Sequence, residues 1–246
     1  MNTQLTIAKS GKISPEMREV AKSEEISAEA VREKIAEGKV VITKNKHHDI
    51  KSLGVGAGLR TKVNANIGSS MDDANLEKEL EKLDIAVRAG ADTVMDLSTG
   101  GNINEIRKAI IDKSKVPIGT VPLYQIACEN IENNRSLMDM TGKDMFDKIE
   151  QHGKEGVDFI TVHCGVTQES VKRIEDEGRL LNIVSRGGSM LAKWMKYNKE
   201  ENPLYVQFDR LLEIAREYDM TLSLGDGLRP GCLSDATDRA QVQETI

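Results

Sequence analysis

The sequence is poor in aromatic residues and in cysteine, and each shortage excludes a class of protein. Aromatic side chains make up 3% of the 246 residues, and 40 acidic against 34 basic side chains give a net charge of −6. Single-stranded nucleic-acid binding needs stacking aromatics in a basic groove, so we do not expect this function. Cys128, Cys164 and Cys232 are odd in number and far apart, which excludes a disulfide framework and a Cys-x-x-Cys metal knuckle.

Long apolar runs are also missing. No run approaches the about 20 residues that cross a bilayer, and Met1 to Lys12 lacks the apolar stretch of a signal peptide. We therefore expect a cytoplasmic protein without a membrane partner. The 39% of hydrophobic residues, mainly aliphatic, still supply a sizeable core.

From about residue 60 onward, short β-type runs alternate with segments of helical period. The predicted strands are 61–67, 93–97, 118–122, 159–163, 182–185 and 221–224. The predicted helices are 74–89, 103–111, 143–153, 168–177, 190–197 and 205–218. This alternation is typical of parallel βαβ units, so the fold class is α/β.

The position of the polar residues favours a (β/α)8 TIM-type barrel over a doubly wound sheet. Each predicted strand carries its unusual residues at or just past its C-terminal end, which in a barrel forms one mouth. No Gly-x-Gly-x-x-Gly follows the first strand. Since a barrel needs eight units and about six are present, residues 59–246 are predicted to form an incomplete barrel, truncated at its C-terminal side.

Residues 1–58 differ from this pattern and are predicted to form an N-terminal helical cap or oligomerisation segment. Ser14 and Pro15 begin a helix that reaches about Lys22, since Ser suits the N-cap and Pro the first helical position. A second helix begins at Ser27 and ends at Gly38. A β-branched run at 39–43 and a Gly-rich loop at 47–58 follow.

Two strand ends carry residues that could contact a polar ligand. Asn64 and Asn66 lie on the same side of their strand and offer paired amide groups, or they cap the strand end. Asp96 could hold a cation or a ligand hydroxyl, or cap the Ser-Thr-Gly-Gly turn whose amides could face an anion. Met95, taken alone, is typical of core packing.

Tyr124 and His163 are the next candidates. Tyr124 follows a strand bracketed by two prolines, and its phenol could donate a hydrogen bond or serve the structure. His163 is the one histidine at a predicted strand end, where it could contact a ligand or be a satisfied core residue.

Two Gly-rich segments indicate an anionic ligand. Ser185 and Arg186 with two following glycines precede a helix, so hydroxyl, guanidinium and amides could all donate to a phosphate, although an exposed turn is the alternative. Asp226 and Arg229 lie in one rigid Gly-Pro loop, where they could bind ligand hydroxyls and phosphate or simply pair with each other. Together these segments predict a phosphosugar or nucleotide ligand.

Five segments resemble the phosphomethylpyrimidine synthase family of thiamine biosynthesis, and the resemblance runs from about residue 11 to the last residue. They are Asn64-Ala-Asn-Ile-Gly68, Ala91-Asp-Thr-Val-Met-Asp-Leu-Ser-Thr-Gly100, Pro117-Ile-Gly-Thr-Val-Pro122, Val184-Ser-Arg-Gly-Gly-Ser189 and Ser223-Leu-Gly-Asp-Gly-Leu-Arg-Pro-Gly231. The resemblance implies a lyase, with a (β/α)8 barrel, that rearranges 5-aminoimidazole ribotide to hydroxymethylpyrimidine phosphate by radical chemistry. S-adenosylmethionine and a [4Fe-4S] cluster would start the reaction, in a protein that forms a homodimer.

Carried over by position, the family's ribotide contacts fall on eleven residues. They are Asn66, Met95, Tyr124, His163, Ser185, Arg186, Gly187, Asp226, Gly227, Leu228 and Arg229. The resemblance does not extend to the cluster motif Cys-x-x-Cys-x4-Cys, to the two zinc-binding histidines or to a further ligand-binding Glu, none of which has an equivalent here. We therefore expect the N-terminal portion of the enzyme, without cluster or zinc ligands of its own.

Two alternatives remain open at this point. The similar 5-hydroxybenzimidazole synthase of anaerobic cobamide assembly starts from the same ribotide, so the binding residues would serve either product. A barrel fragment that binds ribotide without chemistry is the alternative of another class.

Overall fold

The computed structural model describes residues 3–246 and confirms the α/β class. Met1 and Asn2, with which the predicted N-terminal segment starts, lie outside the described residues. The strands are β1 (Val40–Thr43), β2 (Leu53–Gly56), β3 (Asn64–Ile67), β4 (Thr93–Asp96), β5 (Ile118–Thr120), β6 (Phe159–Val162) and β7 (Thr221–Leu224).

Twelve α-helices are found in the described residues. They are α1 (Gln4–Lys9), α2 (Pro15–Ser23), α3 (Ala28–Ala36), α4 (Leu76–Arg88), α5 (Ile103–Lys113), α6 (Pro122–Glu132), α7 (Gly142–Lys154), α8 (Gln168–Glu177), α9 (Arg186–Asn198), α10 (Pro203–Val206), α11 (Phe208–Tyr218) and α12 (Arg239–Thr245). Within residues 3–246, no helix combines the length and the apolar composition that a membrane span requires.

Strands β3 to β7 form one five-stranded sheet in sequence order, whereas β1 and β2 form a separate antiparallel pair. The pairs β3–β4, β4–β5 and β5–β6 are parallel. The amides of Thr221 and Gly225 donate to the carbonyls of Asp158 and Val162, which continues the parallel order to β7. The described residues thus form an open five-stranded sheet and not a closed barrel, so the incomplete TIM-type barrel predicted for residues 59–246 is not confirmed.

The predicted strand at 182–185 is wrong. No ladder includes these residues, because β7 pairs directly with β6 and takes the edge that another strand would have used. The segment instead leads to Ser185, which is the N-cap of α9. Val184 is exposed, as expected for a connection rather than a buried strand.

The predicted strand at 118–122 is too long. It ends at Thr120, and Pro122 begins α6, a helix that the sequence analysis did not predict. Proline fits the first helical position because its fixed φ matches the helix and its missing N–H would be unpaired there anyway. Tyr124 therefore lies in the first turn of a helix and not in a loop.

The chain divides into two compact units. The first comprises the residues up to Val121 together with Ile149–Ile160 and Glu213–Leu222, and the second comprises Pro122–Lys148, Thr161–Leu212 and Ser223–Ile246. Strands β6 and β7 each begin in the first unit and end in the second. The predicted boundary at residue 58 stays a prediction.

The N-terminal segment of the first unit has an apolar cluster of its own. Met17, Val20, Val31, Ile35 and Ile42 are buried in it, with Ile7 and Leu59 packed against it. Helices α2 and α3 begin as predicted, because the hydroxyls of their N-caps accept the otherwise unpaired amides of Met17 and Ala30.

A buried carboxylate joins this segment to the sheet within the first unit. Asp158, fully buried just before β6, accepts hydrogen bonds from the amide of Asn45 at 2.8 Å and the amide of Ile118 at 2.7 Å. Its Oδ2 also lies 2.7 Å from Nδ1 of His48, a buried residue that the sequence analysis left without a role. Three partners satisfy the carboxylate, so its burial is compatible with stability.

Candidate functional site

The site in the second unit is organised around His163, which directly follows β6. The side chain is 5% exposed, and its Nε2 lies 3.4 Å from Oγ of Ser185. Burial, followed by the positive charge of Arg229, lowers the pKa of His163 to about 4, and Asp226 opposes this shift. The imidazole is therefore neutral at physiological pH and can donate one hydrogen bond and accept another.

The N-terminus of α9 begins against this ring. Ser185 is the N-cap, and its hydroxyl accepts the amide of Gly188 at 3.2 Å. A Cβ on Gly187 would overlap the imidazole of His163, so only glycine allows the helix to start so close to it. Because α9 has 13 residues, its first turn presents unpaired amides and a partial positive charge, a combination that favours an anion.

Arg186 occupies the first position of α9 and stacks on Tyr124. The guanidinium carbon lies 5.1 Å from the centre of the Tyr124 ring, within the range of a cation–π interaction. Within residues 3–246 no carboxylate pairs with Arg186, whose side chain is exposed. The stacking restricts the guanidinium and leaves its hydrogen-bond donors available to a ligand.

The loop from Gly225 to Gly231 approaches the same helix start. A Cβ on Gly188 would overlap the backbone of Gly227, and a Cβ on Gly227 would lie 3.0 Å from Cδ2 of His163. Both glycines therefore permit the loop, the helix start and the imidazole to pack together. Leu228 is fully buried beside them.

Asp226 and Arg229 form the ion pair that the sequence analysis gave as an alternative to ligand binding. The closest carboxylate and guanidinium atoms are 3.6 Å apart, and the side chains are 70% and 46% exposed, respectively. Such an exposed pair contributes little stability, so breaking it to bind a ligand costs little. Both side chains can therefore contact a solute.

Glu244 of α12 was not predicted, although it contacts this loop directly. Its two carboxylate oxygens accept the amides of Gly227 at 2.6 Å and Leu228 at 2.7 Å. Burial raises the pKa of Glu244, and these two amides oppose that effect. No sequence motif predicts this role of Glu244, because its two partners lie 17 and 16 residues before it in the chain.

Asn66 and Met95 belong to the first unit, where they are register partners on β3 and β4. Nδ2 of Asn64 donates to Oδ1 of Asn66 at 2.8 Å, which confirms that these two side chains share one face. Asn66 is exposed and Met95 is half-buried. Met95 is thus partly accessible, and its role stays a prediction.

Asp96 caps the turn that follows β4. Its Oδ1 accepts the amide of Ser98 at 2.9 Å and the hydroxyl of Ser98 at 2.5 Å. Burial raises the pKa of this carboxyl group. The capping role, one of the three alternatives considered, is the one these contacts support.

The described residues include no group of three or more His, Cys, Asp or Glu side chains that could hold a metal ion. All three cysteines are free thiols, and Cys164 is buried. Burial raises the pKa of Cys164 to about 12, so it is not a thiolate. The residues present do not fit a [4Fe-4S] cluster or a zinc ion.

These features define an α/β protein in which a helix that begins with a stacked arginine starts against a neutral histidine. The model of the Radical SAM ThiC family matches residues 3–246. The chain belongs to this family.

Two relatives named phosphomethylpyrimidine synthase match nearly the whole chain. The chain is 59% identical over 245 residues to the phosphomethylpyrimidine synthase of Syntrophus aciditrophicus, which covers 99% of the chain and 57% of that protein. It is 57% identical over 244 residues to the protein of the same name from Thermodesulfovibrio yellowstonii, with 99% and 57% covered. The chain thus spans a little over half the length of these relatives.

Proposed function

We propose that this chain carries the ribotide-binding part of a phosphomethylpyrimidine synthase. The full reaction would rearrange 5-aminoimidazole ribotide to hydroxymethylpyrimidine phosphate. The observation that carries the proposal is the first turn of α9, which lies against the neutral His163 through Ser185 and Gly187. This turn begins with Arg186, which stacks on Tyr124 and has no ion pair with a described carboxylate. A phosphate monoester suits this arrangement, because helix amides and a guanidinium both donate to oxygen.

In this proposal the eleven residues carried over from the family contact different parts of the ribotide. Arg186, Ser185 and Gly187, together with Arg229, bind the phosphate or other polar groups of the ligand, and Asp226 accepts hydrogen bonds from the ribose hydroxyls. His163 and Asn66 contact the imidazole or the ribose. Met95, Tyr124, Gly227 and Leu228 complete the set, and their support comes from the family resemblance.

S-adenosylmethionine and an iron–sulfur cluster would supply the radical chemistry of the complete enzyme, as the family description implies. The residues described here do not fit the cluster, and neither do they fit zinc. We therefore assign no step of the reaction to a group on this chain beyond binding and orienting the ribotide.

The test is the affinity of the purified chain for 5-aminoimidazole ribotide, measured by isothermal titration calorimetry. We expect Arg186→Ala to weaken binding by about 10- to 100-fold, because it removes charge-assisted hydrogen bonds to phosphate. Arg210→Ala is the matched control, since Arg210 also stacks on an aromatic ring of the second unit, that of Phe146 at 4.3 Å. Equal affinities for wild type and Arg186→Ala would refute the contact role of Arg186.

The 5-hydroxybenzimidazole alternative shares the ribotide and therefore predicts the same binding result. Product analysis of the complete enzyme under reducing, anaerobic conditions separates the two. A pyrimidine phosphate supports the proposal, and 5-hydroxybenzimidazole contradicts it.

A further inference from the structure

The loop that carries Asp226 and Arg229 is held at the peptide units between these two residues. Glu244 accepts the amides of Gly227 and Leu228 with one oxygen each, at 2.6 and 2.7 Å. A carboxylate that accepts two consecutive amides fixes the orientation of the peptide plane between them. Glu244 comes from α12, a separate element of the second unit.

Arg179 holds the other side of Leu228. Its Nη2 donates to the Leu228 carbonyl oxygen at 2.6 Å, and the same guanidinium pairs with Asp238. The side chain of Arg179 is 2% exposed, so it is a fixed donor rather than a mobile surface arginine. Both polar groups of the Leu228 backbone are therefore bound by buried or partly buried charged side chains.

The packing leaves this segment little room to shift. Leu228 is fully buried, and a Cβ on Gly227 would overlap Val166 and come within 3.0 Å of Glu244 Oε1. In contrast, the side chains of Asp226 and Arg229, directly before and after this fixed pair, are exposed. The loop thus combines a fixed backbone at its centre with two exposed charged side chains that pair with each other.

We propose that Glu244 is a positioning residue which, with Arg179, fixes the Gly227–Leu228 backbone so that Asp226 and Arg229 face the ligand in one geometry. This inference rests on the proposed ribotide-binding function. Fixing the backbone before binding lowers the entropy that binding must remove, which raises affinity without adding a contact to the ligand. Glu244 itself does not touch the ribotide in this arrangement, since its two oxygens face the loop amides.

The arrangement also affects what the loop can offer a ligand. The amides of Gly227 and Leu228 donate to Glu244, and the Leu228 carbonyl accepts from Arg179. The loop therefore contacts the ligand through the side chains of Asp226 and Arg229. If the ribotide instead accepted hydrogen bonds from the amides of Gly227 and Leu228, Glu244 would compete with it for these donors.

The first measurement tests the loop without any ligand. Hydrogen exchange of the Gly227 and Leu228 amides is compared in wild type, Glu244→Gln and Glu244→Ala. We expect exchange of the Leu228 amide to accelerate by at least about tenfold in Glu244→Ala and less in Glu244→Gln, which keeps one acceptor oxygen. The Gly227 amide should respond less, because it also donates to the carbonyl of Gly225 at 3.1 Å. Unchanged exchange in Glu244→Ala would overturn the proposal, whatever the ligand of the protein is.

The second measurement is the affinity of the same proteins for 5-aminoimidazole ribotide. We expect Glu244→Ala to bind at least about tenfold more weakly and Glu244→Gln to recover part of the loss. Glu175→Ala is the control, because Glu175 forms an exposed pair with Lys196 elsewhere in the second unit, and it should bind as wild type does. Tighter binding by Glu244→Ala would identify Glu244 as a competitor of the ligand, and unchanged binding would show that the fixed loop does not matter; both overturn the proposal.

The outcomes for the two proposals can be told apart. If wild type does not bind the ribotide, the proposed function fails, while the exchange experiment still decides whether Glu244 fixes the loop. If Glu244→Ala does not fold, as judged by circular dichroism, Glu244→Gln decides. In Glu244→Gln, faster exchange of either amide together with weaker ribotide binding supports the proposal, and wild-type values for both contradict it.

Discussion

His163 shows how burial sets the chemistry of one residue. Its imidazole would be about a quarter protonated near pH 7 at an unperturbed pKa of about 6.5, but burial lowers the pKa to about 4. A neutral ring beside Ser185 and Gly187 can accept from a ligand hydroxyl or from a ring N–H. The sequence analysis left ligand contact and core packing open for this residue, and in the structure it is both buried and adjacent to the start of α9.

Asp219 is a half-buried carboxyl group, and no ion pair within residues 3–246 stabilises its charged form. Burial, followed by the negative charge of Glu16, raises its pKa from 3.8 to about 6, whereas the amide of Gln4 opposes the shift. The folded state therefore binds a proton more tightly than the unfolded state between these pH values. Below about pH 4 the carboxyl group is protonated in both states and does not lower the free energy of unfolding. The free energy of unfolding falls as the pH rises from about 4 through 6, where the group becomes charged in the folded state, and it stays lower above pH 6.

We expect Asp219→Asn to raise the free energy of unfolding at pH 7 by about 1–2 kcal/mol, and to change it little at pH 4. Asparagine tolerates the left-handed backbone of this position, where φ is 51°, so the substitution removes only the charge. Urea denaturation at both pH values measures the difference. A variant that gains no stability at pH 7 relative to pH 4 would contradict this account.

At the scale of elements, Asp158 joins three segments of the first unit. Its carboxylate binds the amides of Asn45 and Ile118 and the ring of His48, so it links the chain after β1 to the beginnings of β5 and β6. An amide in this position would turn one acceptor oxygen into a donor that faces other donors. A buried polar group that loses its hydrogen-bond partner in this way lowers the free energy of unfolding.

We therefore expect Asp158→Asn to lower the free energy of unfolding by about 2–4 kcal/mol, measured by urea denaturation. Asp73→Asn is the control, because the Asp73 side chain is 54% exposed and pairs with Lys78, whose side chain is 55% exposed. The control should stay within about 0.5 kcal/mol of wild type. A similar small effect for Asp158→Asn would show that the network contributes no net stability.

The elements that the sequence predicted correctly carry their own local signals. Helix α8 was predicted at its observed bounds from its helical period; in the structure Thr167 caps its start and Gly178 ends it with a φ of 72°. Helix α6 and the segment at 182–185 were predicted wrongly. Pro122 suits a strand end as well as a first helical position, and nothing within 182–185 indicates that β7 pairs with β6 instead.

At the scale of the whole chain, the cysteines decide whether it can hold a cluster by itself. Cys128 and Cys164 have pKa values raised by burial, that of Cys164 to about 12, and no group of three or more possible metal ligands lies within residues 3–246. We expect the 246-residue chain, after anaerobic reconstitution with iron and sulfide, to bind less than about 0.2 cluster per chain. Stoichiometric iron and sulfide, with an absorption band near that of other [4Fe-4S] proteins, would overturn this expectation.

The sequence by itself was sufficient for the α/β class, for the starts of α2 and α3 and for the bounds of α8. These features follow from local rules, since a cap, a helical period or a glycine before a helix acts within a few residues. Tertiary structure alone decided that the sheet stays open over the described residues, that Arg186 stacks on Tyr124 and that Glu244 holds the loop at Gly227. Each of these depends on which distant segments pack together, and pairing and packing free energies that act across tens of residues leave no periodic mark in the sequence.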